Sequence, residues 1–253
     1  MSTLAILQAR TSSSRLPGKV LMPILGQPMI LHQLDRVCRA KSLDQVVLAT
    51  SSDATDDELA RVVANAGYLV FRGDLHDVLA RFQACADAHP CSTVVRLTGD
   101  CPLSDPGVID ELLEAFHNHG WDYLSNSADA LALTVPDGCD VEVFRRELLD
   151  LAASRATLPS EREHVTPWMR RPELGLRSGH YCHRQPRQFF RLTVDDPKDF
   201  DLVNAIFQAL YPSDPTFTID AAITFLQQHP TLASSNSETV RNEGYLRSLD
   251  AEL

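Results

Sequence analysis

Three cations, Arg10, Arg15 and Lys19, stand close together in "QARTSSSRLPGKVLMPILGQPM" (residues 8–29), with no carboxylate before Asp35. Like charges at this spacing repel unless water or an anion lies between them. Thr11, Ser12, Ser13 and Ser14 add amides and hydroxyls that can face the same anion, and Pro17-Gly18 can turn the chain just before Lys19. A polyphosphate would satisfy such a set. The alternative is that the cations are solvated surface residues and the serines ordinary loop. Two familiar phosphate motifs are excluded: Val20 follows Lys19, so there is no GxxxxGK[ST], and no GxGxxG follows the first apolar run.

Phosphate chemistry also calls for a divalent cation, and Mg²⁺ takes one or two carboxylates together with phosphate oxygens and water. Asp100 after "VVRLTG" and Asp195 after "FFRLTV" each stand at the end of a predicted strand, and Gly99 lets the backbone approach a ligand. Helix capping is the competing role in this neighbourhood, since Asp105 precedes Pro106 and Asp196 precedes Pro197. In "GDLHDVLARF", Asp77 and Arg81 lie one helical turn apart, and either face the base or sugar or form an i,i+4 ion pair. Asp140 and Glu142 alternate on a presumed strand and can share a face with a ligand. His164 in "EREHVT" suits an acceptor carboxylate or phosphate, or is structural. His180, Cys182 and His183 lack the second spaced pair of a zinc site.

The elements that would carry these residues alternate. "LAIL" (4–7), "VVLAT" (46–50), "YLVF" (68–71) and "TVVRLT" (93–98) read as buried strands. Between them, Ile30, Leu31, Leu34 and Val37, then Leu59, Val62 and Val63, recur at helical spacing. Asp56 and Asp57 mark one helix start and Asp105-Pro106 another. Such alternation predicts a mostly parallel sheet covered on both faces. Beyond about residue 121, "DYLS" reads as strand, "DVEVFRRELLDLA" as strand then helix, and "RRPELGLRSGHYCHRQPRQ" as loop. "FFRLTV" reads as strand and "PKDFDLVNAIFQAL" as helix. The connection from "LAIL" to a first helix near Pro28 far exceeds the usual length of about two to six residues, which marks it as functional or disordered. In an open parallel sheet, ligands bind at the end of the sheet that this loop leaves.

The 253 residues, 44% of them hydrophobic, suit one soluble α/β domain over 1–253. A net charge of −11 opposes binding to nucleic acid or an anionic membrane, so any anion site must be local. Six scattered cysteines without a CxxC pair, and no basic-then-apolar leader, predict reduced thiols in the cytoplasm. No apolar run approaches the roughly 20 residues of a membrane span.

"LQARTSSSRLPGKVL" resembles the nucleotide-binding signature of the cytidylyltransferases that activate acidic sugars, such as the acylneuraminate and 3-deoxy-manno-octulosonate enzymes. "RLTGDCPLSDP", "PDGCDVEVF", "REHVTPW" and "LTVDDPKDFDLV" extend the resemblance over most of the chain. The branch it most resembles contains spore coat polysaccharide biosynthesis protein F. The resemblance implies a Rossmann-like α/β fold akin to GT-A glycosyltransferases, and transfer of CMP from CTP to an acidic sugar with release of pyrophosphate, for surface polysaccharide. It implies Arg10 and Lys19 on the triphosphate with Ser13 and Arg15 helping, Leu7, Ala9 and Thr98 near the nucleotide, and Asp100 and Asp195 on Mg²⁺. It further implies a homodimer, with 121–190 shaping the acceptor pocket and the dimer contact. Where the octulosonate branch has Gln before Gly-Asp, this chain has Thr98. Two rivals remain. A GT-A glycosyltransferase would carry a DxD pair, whereas Cys101-Pro102 follows Asp100. A non-catalytic CTP-binding subunit would have little need of two metal carboxylates.

Overall fold

The computed structural model describes residues 2–13, 15–128, 132–237, 239 and 241–252. Along the chain, β1 (Thr3–Gln8) leads through a small hairpin, β2 (Pro23–Ile24) and β3 (Gln27–Pro28), into α1 (Met29–Val37). Then come β4 (Gln45–Ser51), α2 (Asp57–Asn65), β5 (Leu69–Gly73), α3 (Val78–Ala88), β6 (Thr93–Thr98), α4 (Pro106–His119) and β7 (Tyr123–Ser125). β8 (Glu142–Arg145), α5 (Arg146–Arg155), α6 (Pro159–His164) and β9 (Ser178–His180) follow. The chain closes with α7 (Pro197–Leu210), α8 (Ile219–Gln228), α9 (Pro230–Ala233) and α10 (Glu243–Asp250).

Seven strands form one sheet in the order β5-β4-β1-β6-β8-β7-β9, in which only β8 runs against its neighbours. The expected mostly parallel α/β fold is the one observed. Alternate side chains of β1 explain why both faces are covered: Ala5 and Leu7 pack with α1, α2, α4, α7 and α8, while Leu4 and Ile6 pack with α3 and α5. Leu7 is fully buried in that core and does not reach the cleft, so the expectation of a nucleotide contact for its side chain is not met.

Two expectations about elements fail for identifiable reasons. "FFRLTV" begins in a turn at Phe189 and forms no strand, only an isolated parallel bridge between Asp137 and Arg191. Its partner is the turn around Gly138, where φ is +99° and a β-carbon would lie 2.4 Å from the Thr193 nitrogen, so no ladder can propagate. Inside the presumed loop of residues 170–188, Ser178–His180 pairs with β7 as the edge strand β9. Its pairing depends on β7 being in place, which local pattern does not reveal.

Candidate active site

β1 continues outward through β4 and β5 on one side, and the chain then crosses to β6 on the other. The carboxyl ends of β1 and β6 therefore meet at the point where the connections diverge, where open α/β sheets bind ligands. A cleft of about 500 Å³ opens there, floored by Gln8, Ala9 and Thr98–Asp100. A β-carbon on Gly99 would lie 2.6 Å from that of Ala9 and 3.1 Å from the Gln8 carbonyl oxygen. Gly99 thus allows the two strand ends to close on each other, a closer constraint than the ligand approach anticipated for it.

The long loop is tied down by its own first residues. The Thr11 carbonyl accepts from the amides of Ser13 and Gly18, both at 2.9 Å, so these amides are spent inside the loop. Thr11 donates its amide and hydroxyl to Asp56, at 2.7 and 2.8 Å. Asp56, read above only as a helix start, is fully buried and also accepts from the Ser51 amide and hydroxyl. Burial alone would raise its carboxyl, but these four donors hold it below the ordinary value. Gly18 turns at φ +71°, and Lys19 opens a short 3₁₀ turn. Ser12 and Ser13 line the cleft, with the Ser13 hydroxyl accepting weakly from the Leu16 amide; Ser14 lies outside the described residues.

The three cations have carboxylate partners, contrary to the reading that no acid is near. The acids arrive from far along the chain. Lys19, 8% exposed, places its ammonium 2.6 Å from the Val194 carbonyl, 3.0 Å from Asp195 and 3.8 Å from Asp100. Arg15 lies 3.0 Å from Asp195 and 2.8 Å from Glu243, and Arg10 3.4 Å from Glu163. Both members of the Arg10 pair are about two-fifths exposed, so that contact contributes at most about 1 kcal/mol and an entering anion can displace it.

Asp100 and Asp195 are drawn together by two hydrogen bonds to the Asp100 carbonyl, one from backbone and one from a side chain. The Val194 amide and the Thr193 hydroxyl donate to the Asp100 carbonyl at 2.7 and 3.1 Å. Capping is done by their neighbours: Asp105 accepts from Gly107 and Val108, and Asp196 from Asp199. Burial would raise the Asp195 carboxyl, yet Lys19, Arg15 and Arg191 together hold it below the ordinary range. Arg191 grips Asp199 through two nitrogens (2.9 and 3.0 Å), Asp195 at 2.9 Å and Asp137 at 2.6 Å. Asp137 and Asp140 are pushed up by burial, with Arg241 opposing. Arg241 reaches Asp140 at 2.5 Å.

The remaining expectations divide. Asp77 does not line the cleft; it caps α3 through the Ala80 amide and pairs with Arg162. Arg81 lines the cleft but donates to the Asp74 carbonyl, so the i,i+4 pair with Asp77 is not formed. Asp140, Glu142 and His164 do line it, although Asp140 precedes β8 and does not share a strand with Glu142. Glu142 is bound by Arg96, the Tyr123 hydroxyl and the Thr166 hydroxyl. Burial, followed by the nearby Arg96, lowers His164 to about 4. Sequence reasoning missed Arg170, Arg191, Arg241, Glu243 and Tyr245. Arg170 lay in the presumed loop, Arg241, Glu243 and Tyr245 lay beyond the last helix read from the sequence, and Arg191 lay inside a stretch read as core strand.

Comparison with known proteins fits this arrangement. The sequence model of the family described as cytidylyltransferase matches residues 4–237. Spore coat polysaccharide biosynthesis protein SpsF of Bacillus subtilis is 33% identical over 240 residues, covering 91% of this chain and 96% of that protein. The 8-amino-3,8-dideoxy-manno-octulosonate cytidylyltransferase of Shewanella amazonensis is 29% identical over 175 residues, 64% of this chain and 69% of that one. The solved structure of a cytidylyltransferase from Leptospira borgpetersenii superposes with a TM-score of 0.86 at 29% identity, covering 95% of this chain and 99% of that one. With cations and carboxylates gathered where the parallel strands end, and a family match spanning nearly all of the sheet that gathers them, the chain belongs to the cytidylyltransferase family, whose reaction is the transfer of CMP from CTP.

Proposed function

We propose that the acceptor of CMP is an acidic sugar destined for a surface polysaccharide, and that the cleft between β1 and β6 is the catalytic site. The observation that carries this reading is the convergence of Arg15 and Lys19 on the Asp100–Asp195 pair at the sheet's carboxyl end. The names of the SpsF and octulosonate relatives support the acceptor class.

In this mechanism Arg10, Arg15 and Lys19 exchange their carboxylate partners for the triphosphate of CTP, with Ser13 helping and Ala9 and Thr98 beneath the nucleotide. An acceptor hydroxyl gives up its proton to solvent and attacks the α-phosphorus, the bond to the bridging oxygen breaks, and pyrophosphate leaves. Asp100 and Asp195 would hold Mg²⁺. Their carboxylates converge within 4 Å of one point, the Lys19 ammonium, and hard oxygen donors that leave room for phosphate oxygens suit that ion. When bound, the metal would neutralise charge developing on the transferred phosphoryl group. Asp140, Glu142 and His164 face the acceptor side. The whole chain acts as one unit, with 121–190 shaping the acceptor pocket. We further place the enzyme in the cytoplasm, a reading supported by six free cysteines, and assign it a homodimer contact in the same segment, where Phe189 is 81% exposed.

Purified protein with Mg²⁺, each of the four nucleoside triphosphates and a panel of sugar acids tests the reading. Pyrophosphate should appear with CTP and an acid sugar. Asp100→Ala should remain folded and lose about 10²–10³ in rate. A nucleoside diphosphate as product would replace the reading with sugar transfer, and CTP binding without turnover on any acceptor would replace it with a binding subunit.

A further inference from the structure

Arg170 differs from every other cation lining the cleft. Arg10, Arg15, Lys19, Arg96, Arg191 and Arg247 each hold a carboxylate, and Arg81 donates to a backbone carbonyl. Among the described residues the Arg170 side chain has no ion pair or hydrogen bond, and its Nε is buried without a partner. The carboxylate whose field it shares, Glu142, is already engaged by Arg96, Tyr123 and Thr166.

What Arg170 does touch is the C-terminal helix. Its guanidinium carbon lies 5.5 Å from the centre of the Tyr245 ring on α10, and that ring meets His164 edge-on with centroids 5.1 Å apart. His164 in turn lies 2.9 Å from the Ser248 hydroxyl, also on α10. Burial and Arg96 keep His164 uncharged near neutral pH, and Arg96 is engaged by Glu142, so Arg170 is the cation of this corner left without a carboxylate among the described residues. The corner adjoins the triphosphate cradle at Glu163, which lies 3.4 Å from Arg10 and 4.0 Å from His164, but among the described residues Arg170 pairs with no residue of the cradle loop. Trp168 and Met169, just before Arg170, pack with α3 and α5 on one face of the sheet, whereas Val194 beside Asp195 packs on the other. Tyr245 also lies beyond the residues 4–237 that the family model matches.

A half-buried guanidinium without a protein acceptor is poorly compensated by a ring face alone, and its planar fork matches a carboxylate or phosphate through two parallel hydrogen bonds. We infer that Arg170, seated on Tyr245 of α10, forms the anion-recognising corner of the acceptor subsite and binds the acceptor's carboxylate or phosphate group. This inference rests on the CMP-transfer reading, because it needs an acceptor beside the nucleotide.

The test is calorimetric binding to the full chain saturated with Mg²⁺ and α,β-methylene-CTP, a non-hydrolysable analogue. The probes are an acylneuraminate against its C1 carboxamide, for the carboxylate arm, and a hexose 6-phosphate against the free hexose, for the phosphate arm. Wild type should prefer the charged member of one pair by about ten- to hundredfold, the range expected for a hydrogen-bonded charge. Arg170→Gln should reduce that preference to within about twofold, Arg170→Lys should restore part of it, and the affinity for the CTP analogue should stay unchanged in both. Tyr245→Leu should weaken the charged probe alone, and keeps the test open if Arg170→Gln does not fold. Charge preference retained in Arg170→Gln, no preference in wild type, or a parallel loss of CTP-analogue binding would each overturn the inference. Failure of the underlying reading shows separately, as wild-type protein that neither binds the CTP analogue nor releases pyrophosphate.

Discussion

The Lys19 ammonium lies 3.0 Å from an Asp195 carboxylate oxygen, although 176 positions separate the two residues. It also lies 3.8 Å from Asp100, and so occupies the point on which both carboxylates converge. A divalent cation would therefore compete with Lys19 for one pair of acids, which couples the phosphate loop to the proposed metal site.

Lys19→Met should accordingly do two things. It should lower kcat/KM for pyrophosphate release by about 10²–10³, the usual effect of losing a pre-organised charged contact. It should also remove the cation held between Asp100 and Asp195, leaving Arg15 and Arg191 on Asp195 alone, so that added Mg²⁺ raises Tm more in the variant than in wild type. Equal Mg²⁺ shifts in both proteins would refute the shared-acid arrangement.

Asp56→Asn tests how the loop is held. Asp56 is fully buried and receives four donors, two from Thr11 and two from Ser51. The amide cannot accept all four, and unmet buried donors cost about 1–3 kcal/mol each. Urea denaturation should show a loss of about 2–4 kcal/mol, with a higher KM for CTP. A stable variant with unchanged KM would show that the loop is fixed by other contacts.

Gly99→Ala should separate the ends of β1 and β6, because the new methyl would lie 2.6 Å from the Ala9 β-carbon. Activity should fall more than stability, since the strain falls on the cleft floor. Ala9→Gly in the same chain should recover part of the activity by removing that atom. No recovery in the double variant would move the cause to the 3.1 Å contact with the Gln8 carbonyl.

His164 gives a pH signature. Unfolded, it titrates near 6.5; folded, burial and the adjacent Arg96 bring it to about 4. Between these values the unfolded chain binds the extra proton, so this stabilising contribution is complete above about pH 6.5 and shrinks as pH falls. With three-quarters of its side chain buried, the loss from pH 7 to pH 5 should be of the order of 2 kcal/mol. His164→Gln should show a smaller difference in urea stability between those two pH values. An identical difference in both proteins would assign the acid sensitivity to other groups.

Much of this was legible in the sequence because it depends on local periodicity and caps. Buried strands such as "TVVRLT" and the Asp105-Pro106 helix start follow from alternation and capping chemistry that act over a few residues. The sequence by itself also determined that Arg10, Arg15 and Lys19 share one loop, and that Asp100 follows a strand. Only the tertiary structure decided what neutralises those cations. Asp195, Glu163 and Glu243 are brought back across more than 150 positions by sheet order and by the return of α10, and Coulomb attraction depends on distance through space, not along the chain. Arg170 shows the same limit: nothing about an arginine in a proline-containing loop reveals that every neighbouring carboxylate is already engaged.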